Sequence, residues 1–237
     1  MSKVIVNFSG GKDSTVAVLE TLKRYPKDEI MLCYQDTGAD YLETQGHVEK
    51  IAAMLDLPLV TLKNSEDFWG LAERYGKFPL PSTRYCTHKL KKDAVRNFVR
   101  KNRPMFGDEV IIVTGLRREE SLSRSKLSEW ALDDHLTIRK QIVKFWAPCL
   151  DMKVKEVKDR IQAEGLPLHP CYDFSERCSC WLCFFQPNHV VKEYAEMQPK
   201  LYESACLVED KIKHKWKDGF GFNDLMKQGS FFKWQRK

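Results

Sequence analysis

Three stretches of this chain hold residue types whose spacing can do chemistry. The first is Ser9-Gly10-Gly11-Lys12-Asp13-Ser14, which follows the apolar run Val4-Ile5-Val6 and leads into the helical pattern Val16-Ala17-Val18-Leu19. Strand, tight loop and helix N-terminus in that order build an anion site, because unpaired amide N–H groups and the positive end of the helix dipole converge there. Gly10 and Gly11 let the backbone approach a phosphate with no Cβ in the way. Lys12 supplies a mobile positive charge, Asp13 can cap the helix or take part in holding a metal ion, and Ser14 adds a hydroxyl donor. The pattern is not a Walker loop, since Gly-Lys-Ser/Thr at the required spacing is missing. The second stretch is residues 115–124, beginning at Gly115 and carrying Arg117, Arg118 and Arg124. Guanidinium forks suit phosphate and sulfate oxygens, although a charged surface loop reads the same way. The third is a bunch of cysteines, Cys171, Cys178, Cys180 and Cys183, set apart from Cys33, Cys86, Cys149 and Cys206. Uneven spacing of this kind points to metal or redox chemistry rather than a disulfide framework.

The elements that must position these residues alternate. A helix over residues 14–25 precedes a short apolar strand at 30–34. That strand ends in the polar loop containing Asp36 and Thr37, the place where open α/β sheets put ligands. An amphipathic helix at 43–55 carries Val48, Ile51, Ala52 and Leu55 on one face, and a strand follows at 59–62. Residues 68–87 read as irregular and 89–101 as a basic helix. Strands at 110–114 and 141–145, a helix at 153–163 and a helical pattern over 190–216 complete the chain, whose last residues show no clear period. The alternation predicts an α/β fold: a doubly wound, mainly parallel sheet with flanking helices and a C-terminal helical, cysteine-bearing extension. We expect residues 1–165 to form the nucleotide-binding unit and 166–237 to pack on it.

With 237 residues the chain is long enough for a substantial core. No apolar run reaches membrane-spanning length and no signal pattern opens the chain, so the expectation is a cytoplasmic protein with no membrane partner. The formal net charge of +6 suits an anionic substrate. The basic residues in 89–103 and 211–237 leave open a nucleic-acid track or a solvated helix face and tail.

Residues 9–14 closely resemble the PP-loop of the adenine-nucleotide α-hydrolase superfamily. The chain as a whole resembles the phosphoadenosine phosphosulfate reductase family. The likeness rests on that loop, on Asp36-Thr37-Gly38 with Thr44, and on Arg84-Tyr85-Cys86-Thr87 with Lys89. It extends through Gly115 to Ser121 with Arg124, and through His169-Pro170-Cys171-Tyr172 and Ser179-Cys180-Trp181-Leu182-Cys183. It implies that Ser9, Gly10, Gly11, Lys12, Asp13 and Ser14 hold phosphate, that Asp36 and Thr37 lie nearer the adenosine, and that Gly115, Arg117, Arg118 and Arg124 reach the far end of the anion. There are two departures. No cysteine follows Cys206, where thiol-dependent reductases of the family carry a nucleophile, and Cys206 itself reads as a buried structural thiol. Tyr85 also stands where cluster-bearing reductases have the first of two adjacent cysteines.

Cys86, Cys180 and Cys183 are the expected metal ligands. Three thiolates suit a [4Fe-4S] cluster with one iron open, and zinc is the alternative. Cys178, followed by Cys171, is the candidate for a fourth ligand. The resulting expectation is ATP-dependent sulfur transfer. A substrate oxygen is adenylated with release of pyrophosphate, helped by Mg²⁺, Lys12, Asp13 and Arg117, and cluster-held sulfide then displaces AMP. The alternatives are reduction of a sulfonucleotide to sulfite, and a non-catalytic nucleotide- or nucleic-acid-binding module. A sulfur donor and a homodimeric partner belong to the same expectation.

Overall fold

In the computed structural model, which describes residues 3–227, β1 (Val4–Asn7) is the centre of the molecule. Val4, Ile5 and Val6 are all fully buried because the strand has helices over both of its faces. Around it run, in chain order, α1 (Lys12–Arg24), β2 (Ile30–Asp36), α2 (Thr44–Leu55), β3 (Leu59–Lys63), α3 (Phe68–Tyr75), α4 (Asp93–Lys101), β4 (Glu109–Thr114), α5 (Leu122–Ser125), β5 (Trp130–Leu132), β6 (Ile142–Trp146), α6 (Val154–Ala163), α7 (Asn188–Met197), α8 (Pro199–Ile212) and α9 (Phe222–Leu225). The sheet order is β3-β2-β1-β4-β6-β5, parallel throughout except for β5, which runs antiparallel on the edge. This is the doubly wound, mainly parallel α/β fold expected from the alternation.

Side-chain alternation along β1 divides the interior. Val4 and Val6 join Val16, Val18, Ile51, Val157 and Ile161 in one layer, under α1, α2 and α6. Ile5 points the other way, to Val95, Val99, Ile112 and Val143 in the layer under α4. A third core gathers the C-terminal segment: Trp181, Tyr194, Trp216 and Phe222 pack with Phe68, Leu71 and Phe78. Its last turn is fastened by buried Glu209, which accepts from the backbone N–H groups of Trp216 at 2.8 Å and Phe222 at 3.0 Å.

Four details depart from the expected elements. Within the stretch read as irregular, α3 forms because the Asp67 side chain caps it, accepting from Gly70 N–H at 2.9 Å, and Gly76 ends it at φ +62°. The basic helix opens as a π-helical turn, Thr87–Lys92, before α4 begins. The long C-terminal helix is two, broken at Gln198 with Pro199 opening the second. The short edge strand β5 was not foreseen; Trp130 stacks on Trp146 there with centroids 5.0 Å apart. The end of the basic tail, residues 228–237, lies outside the described residues. No helix among the described residues is long and apolar enough to cross a membrane.

Candidate functional site

The chain passes from β1 outward to β2 and β3, then returns to place β4 on the other side of β1. The C-terminal ends of β1 and β4 therefore flank a topological switch point, where open α/β sheets leave a crevice. Side chains stitch these ends together: Asn7 donates to Thr114 Oγ1 at 3.0 Å, and Gln35 donates to Asn7 Oδ1 at 3.1 Å. The two polar loops singled out in the sequence, after β1 and after β4, open there side by side.

In the first loop Gly10 takes φ +73°, and Gly11 caps α1 without a side chain. Ser14 Oγ donates to Gly11 O at 2.8 Å and accepts from Ser9 N–H at 3.3 Å. The glycines also serve a purpose the sequence did not reveal. A Cβ on Gly10 would lie 3.0 Å from Val48 and 3.1 Å from His47, and one on Gly11 would lie 3.2 Å from the Cβ of Cys178. Both glycines are thus needed on the protein side of the loop, where α2 and the cysteine-rich segment press against it. Gly115 is tighter still: a Cβ there would lie 2.4 Å from the Asp13 backbone, so the two loops touch main chain to main chain.

All three arginines of the second loop are paired with carboxylates, from the loop itself and from neighbouring segments. Buried Arg117 donates through Nε to Asp13 Oδ1 at 2.5 Å and is also paired with Glu119. Lys12 Nζ donates to the other oxygen of Asp13 at 3.0 Å, so one carboxylate bridges both cations. Arg118 points away from the first loop, to Asp151 at 2.6 Å and the Ser125 carbonyl at 2.9 Å, while Arg124 pairs with Glu120.

The loop after β2 reaches the cysteines. Asp36 accepts from Gly38 N–H at 3.0 Å and pairs with Lys63 at 2.8 Å. Buried Thr37 donates to Asp40 Oδ2 at 2.9 Å and lies 3.6 Å from Cys180 Sγ, which itself donates to Asp40 Oδ1 at 3.7 Å. Trp181 N–H donates to Ala39 O at 3.1 Å, and the Cys-x-x-Cys turn closes through Cys183 N–H to Cys180 O at 3.1 Å. Cys86, Cys180 and Cys183 line one cavity with Phe68, Pro79, Leu182, Phe184 and Trp216. Burial pushes the Cys86 and Cys180 thiols up; at Cys180, Asp40 adds to the effect and Lys91 opposes it. Lys91 is the residue that sequence reasoning missed. Burial pulls its pKa down, but Cys180, Asp40, Cys183 and Cys86 outweigh that and raise it. Lys89, matched by resemblance, instead pairs with Asp93 at 3.2 Å on the surface. The π-helical turn sets which lysine faces inward, and nothing local in the sequence announces such a turn.

Cys178 and Cys171, considered as fourth ligands to the same set, have other neighbours. Ligand atoms of His169, Cys171 and Cys178 all lie within 4.8 Å of one another. The reason is the path of the chain: a 3₁₀ turn (Pro170–Asp173) carries Tyr172 against the first loop, where its hydroxyl accepts from Lys12 N–H at 2.9 Å. His47 stacks edge-on to His169 with centroids 5.0 Å apart. Burial, then the charge of His169, lowers the pKa of His47 to about 4.

Comparison with known proteins agrees with this fold. A family model described as the phosphoadenosine phosphosulfate reductase domain matches residues 3–205. An uncharacterized protein of Methanocaldococcus jannaschii is 29% identical in an alignment that covers 99% of this chain and 46% of that protein. A phosphoadenosine 5′-phosphosulfate reductase of Vibrio campbellii is 28% identical over 159 residues, 66% of this chain and 57% of its own length. The chain thus spans about half the length of the curated relatives it matches. Among solved structures, phosphoadenylyl-sulfate reductase from Candida auris superposes with a TM-score of 0.55 at 16% identity, over 76% of this chain and 82% of that one. FMN adenylyltransferase from Candida glabrata does so with a TM-score of 0.51 at 14% identity, over 73% and 53%.

Proposed function

The chain belongs to the phosphoadenosine phosphosulfate reductase family, and from that premise we propose that it is an adenine-nucleotide enzyme catalysing ATP-dependent sulfur transfer. The observation that carries the reading is the direct contact between the two halves of the site. Thr37 and Asp40, in the loop after β2, touch Cys180, whose thiol shares a cavity wall with Cys86 and Cys183.

In this reading the triphosphate lies along Ser9, Gly10, Gly11, Lys12, Asp13 and Ser14, with the adenosine toward Asp36 and Thr37. An entering phosphate competes with Asp13 for Lys12 and Arg117. Asp13, displaced from them, is placed to hold Mg²⁺. Gly115 keeps the second loop close enough for Arg117 to follow the phosphate, while Arg118 and Arg124 brace that loop. The acceptor's oxygen attacks the α-phosphorus, the α–β phosphoanhydride bond breaks and pyrophosphate leaves. Lys12 and Arg117 offset the charge that develops. The oxygen, now esterified to AMP, departs with it when sulfide attacks the acceptor.

The donor set fits a [4Fe-4S] cluster. A cubane binds each thiolate to a different iron and so needs its sulfurs spread around a cavity, whereas a single zinc gathers them. Cys86, Cys180 and Cys183 surround a cavity, with Lys91 as a cation beside them, and are absent from the one closely grouped set among the described residues. When bound, the cluster would supply sulfide chemistry next to the nucleotide.

Reduction of a sulfonucleotide is the second reading, favoured by the likeness to the two reductases. Anaerobically purified protein separates the readings. Pyrophosphate release from ATP in the presence of an acceptor supports transfer, sulfite from adenylyl sulfate or its 3′-phosphorylated form supports reduction, and nucleotide binding with neither product defeats both.

A further inference from the structure

The mechanism above makes no use of His169, Cys171 and Cys178. All three come from the cysteine-rich segment, and their ligand atoms lie within 4.8 Å of one another. His169 and Cys171 are each only 1% exposed. Two soft sulfurs and one imidazole nitrogen at this separation are a donor set for a single borderline-soft divalent ion.

The surroundings fix the His169 ring. His169 Nδ1 accepts from Cys171 N–H at 3.0 Å, so in the neutral ring the proton sits on Nε2, which donates to Thr44 Oγ1 at 3.1 Å. The Nδ1 lone pair is held by the Cys171 amide, and an ion binding there replaces that contact while Thr44 keeps the ring in place. Thr44 itself is buried, at the start of α2. His47, whose ring packs against His169, has its Nε2 buried without any hydrogen-bond partner. Polar atoms left bare in this way are rare in folded proteins.

We infer that His169, Cys171 and Cys178 form a mononuclear zinc site, separate from the cavity of Cys86, Cys180 and Cys183, that clamps the cysteine-rich segment onto the phosphate loop. Its position gives it that purpose. Cys178 lies against Gly11, and Tyr172, between two ligands in the chain, accepts from Lys12 N–H. An ion holding these residues together fixes the wall against which the loop is shaped. Three protein ligands leave one coordination position for water or an anion. The inference holds whether the enzyme transfers sulfur or reduces a sulfonucleotide.

The test is a Co²⁺ titration of the full chain, reduced and stripped with chelator under argon, reading thiolate-to-cobalt charge transfer and d–d absorption. Wild-type protein should take up one equivalent with tetrahedral-type bands, and Cys183→Ser should keep them. Cys178→Ser should weaken uptake by roughly 100-fold and Thr44→Val, which removes no ligand, by roughly 10-fold. Should Cys178→Ser fail to fold by circular dichroism, Thr44→Val decides alone, and unchanged affinity there overturns the proposal. It is also overturned if folded wild-type protein shows no thiolate–cobalt bands, or if the bands vanish in Cys183→Ser but persist in Cys178→Ser. Oxidation of Cys171 and Cys178 to a disulfide in place of cobalt uptake by the reduced protein would mark a redox pair and overturn it as well.

Discussion

Two sets of thiols lie within a few residues of each other in the chain, yet they occupy different physical settings. Cys180 and Cys183, with Cys86, line a cavity in the C-terminal aromatic core with Phe68 of α3 and Trp216, beside Lys91. Cys178 and Cys171, which pack in the same aromatic core, are closed in against the phosphate loop beside His169 and Tyr172. A single residue, Ser179, separates Cys178 from Cys180. Spacing alone would place the two sulfurs together, but the neighbours each thiol meets decide otherwise. The difference teaches that a cysteine count assigns no ligands until the surrounding wall is known.

The largest effect expected from this contrast is all-or-none. Serine at Cys86, Cys180 or Cys183 should abolish iron and acid-labile sulfide in anaerobically purified protein, whereas Cys178→Ser should retain both. Loss of iron with Cys178→Ser would merge the two sets into one. Next in size is Glu209→Ala. Glu209 holds the turn that places Trp216 on the wall of the cavity, and removing it leaves buried N–H donors unpaired, a cost of roughly 3 kcal/mol in urea unfolding. Iron release to a chelator should quicken, with cobalt uptake at the closed set unchanged.

Arg117→Lys comes third. Its fork is shared between Asp13 and Glu119, and a lysine cannot reproduce both contacts, so ATP affinity measured by calorimetry should fall by roughly 2 kcal/mol. The same change at Arg124, paired with Glu120 away from Asp13, should leave affinity nearly unchanged. The smallest effect is Gly11→Ala. Its Cβ would press on Cys178 at 3.2 Å, so stability should drop by about 1 kcal/mol, and the cobalt site should weaken while iron content stays constant.

What was legible in the sequence was what short segments determine on their own. The Val4-Ile5-Val6 run and the hexapeptide after it define strand, loop and helix start without help from distant residues, and the repeated pattern carries the sheet. Helix α3 escaped notice because Gly70 and the prolines after it mask a helix that a cap at Asp67 stabilises. The inward turn of Lys91 depends on one extra residue per turn, a backbone choice settled by packing. In the arginine loop the sequence showed three cations, but Glu119 and Glu120 stand beside them in the chain and were left out of the balance. The partners of Cys178 are set by tertiary packing alone, so spacing could not supply them.

The phosphate loop is shaped by residues made long after it. Lys12 N–H is bonded to Tyr172, 160 positions later, and Asn7 to Thr114, 107 positions later. At about 5–20 residues per second, a ribosome needs on the order of ten seconds or more between the two partners of the longer contact. During that interval the glycine loop exists without its Gly115 neighbour and without its cysteine-rich wall. Pairings this distant in sequence also slow folding, because the entropy of closing the intervening chain comes before any contact rewards it. A nascent chain therefore completes the walls of this loop only once the cysteine-rich segment has been made.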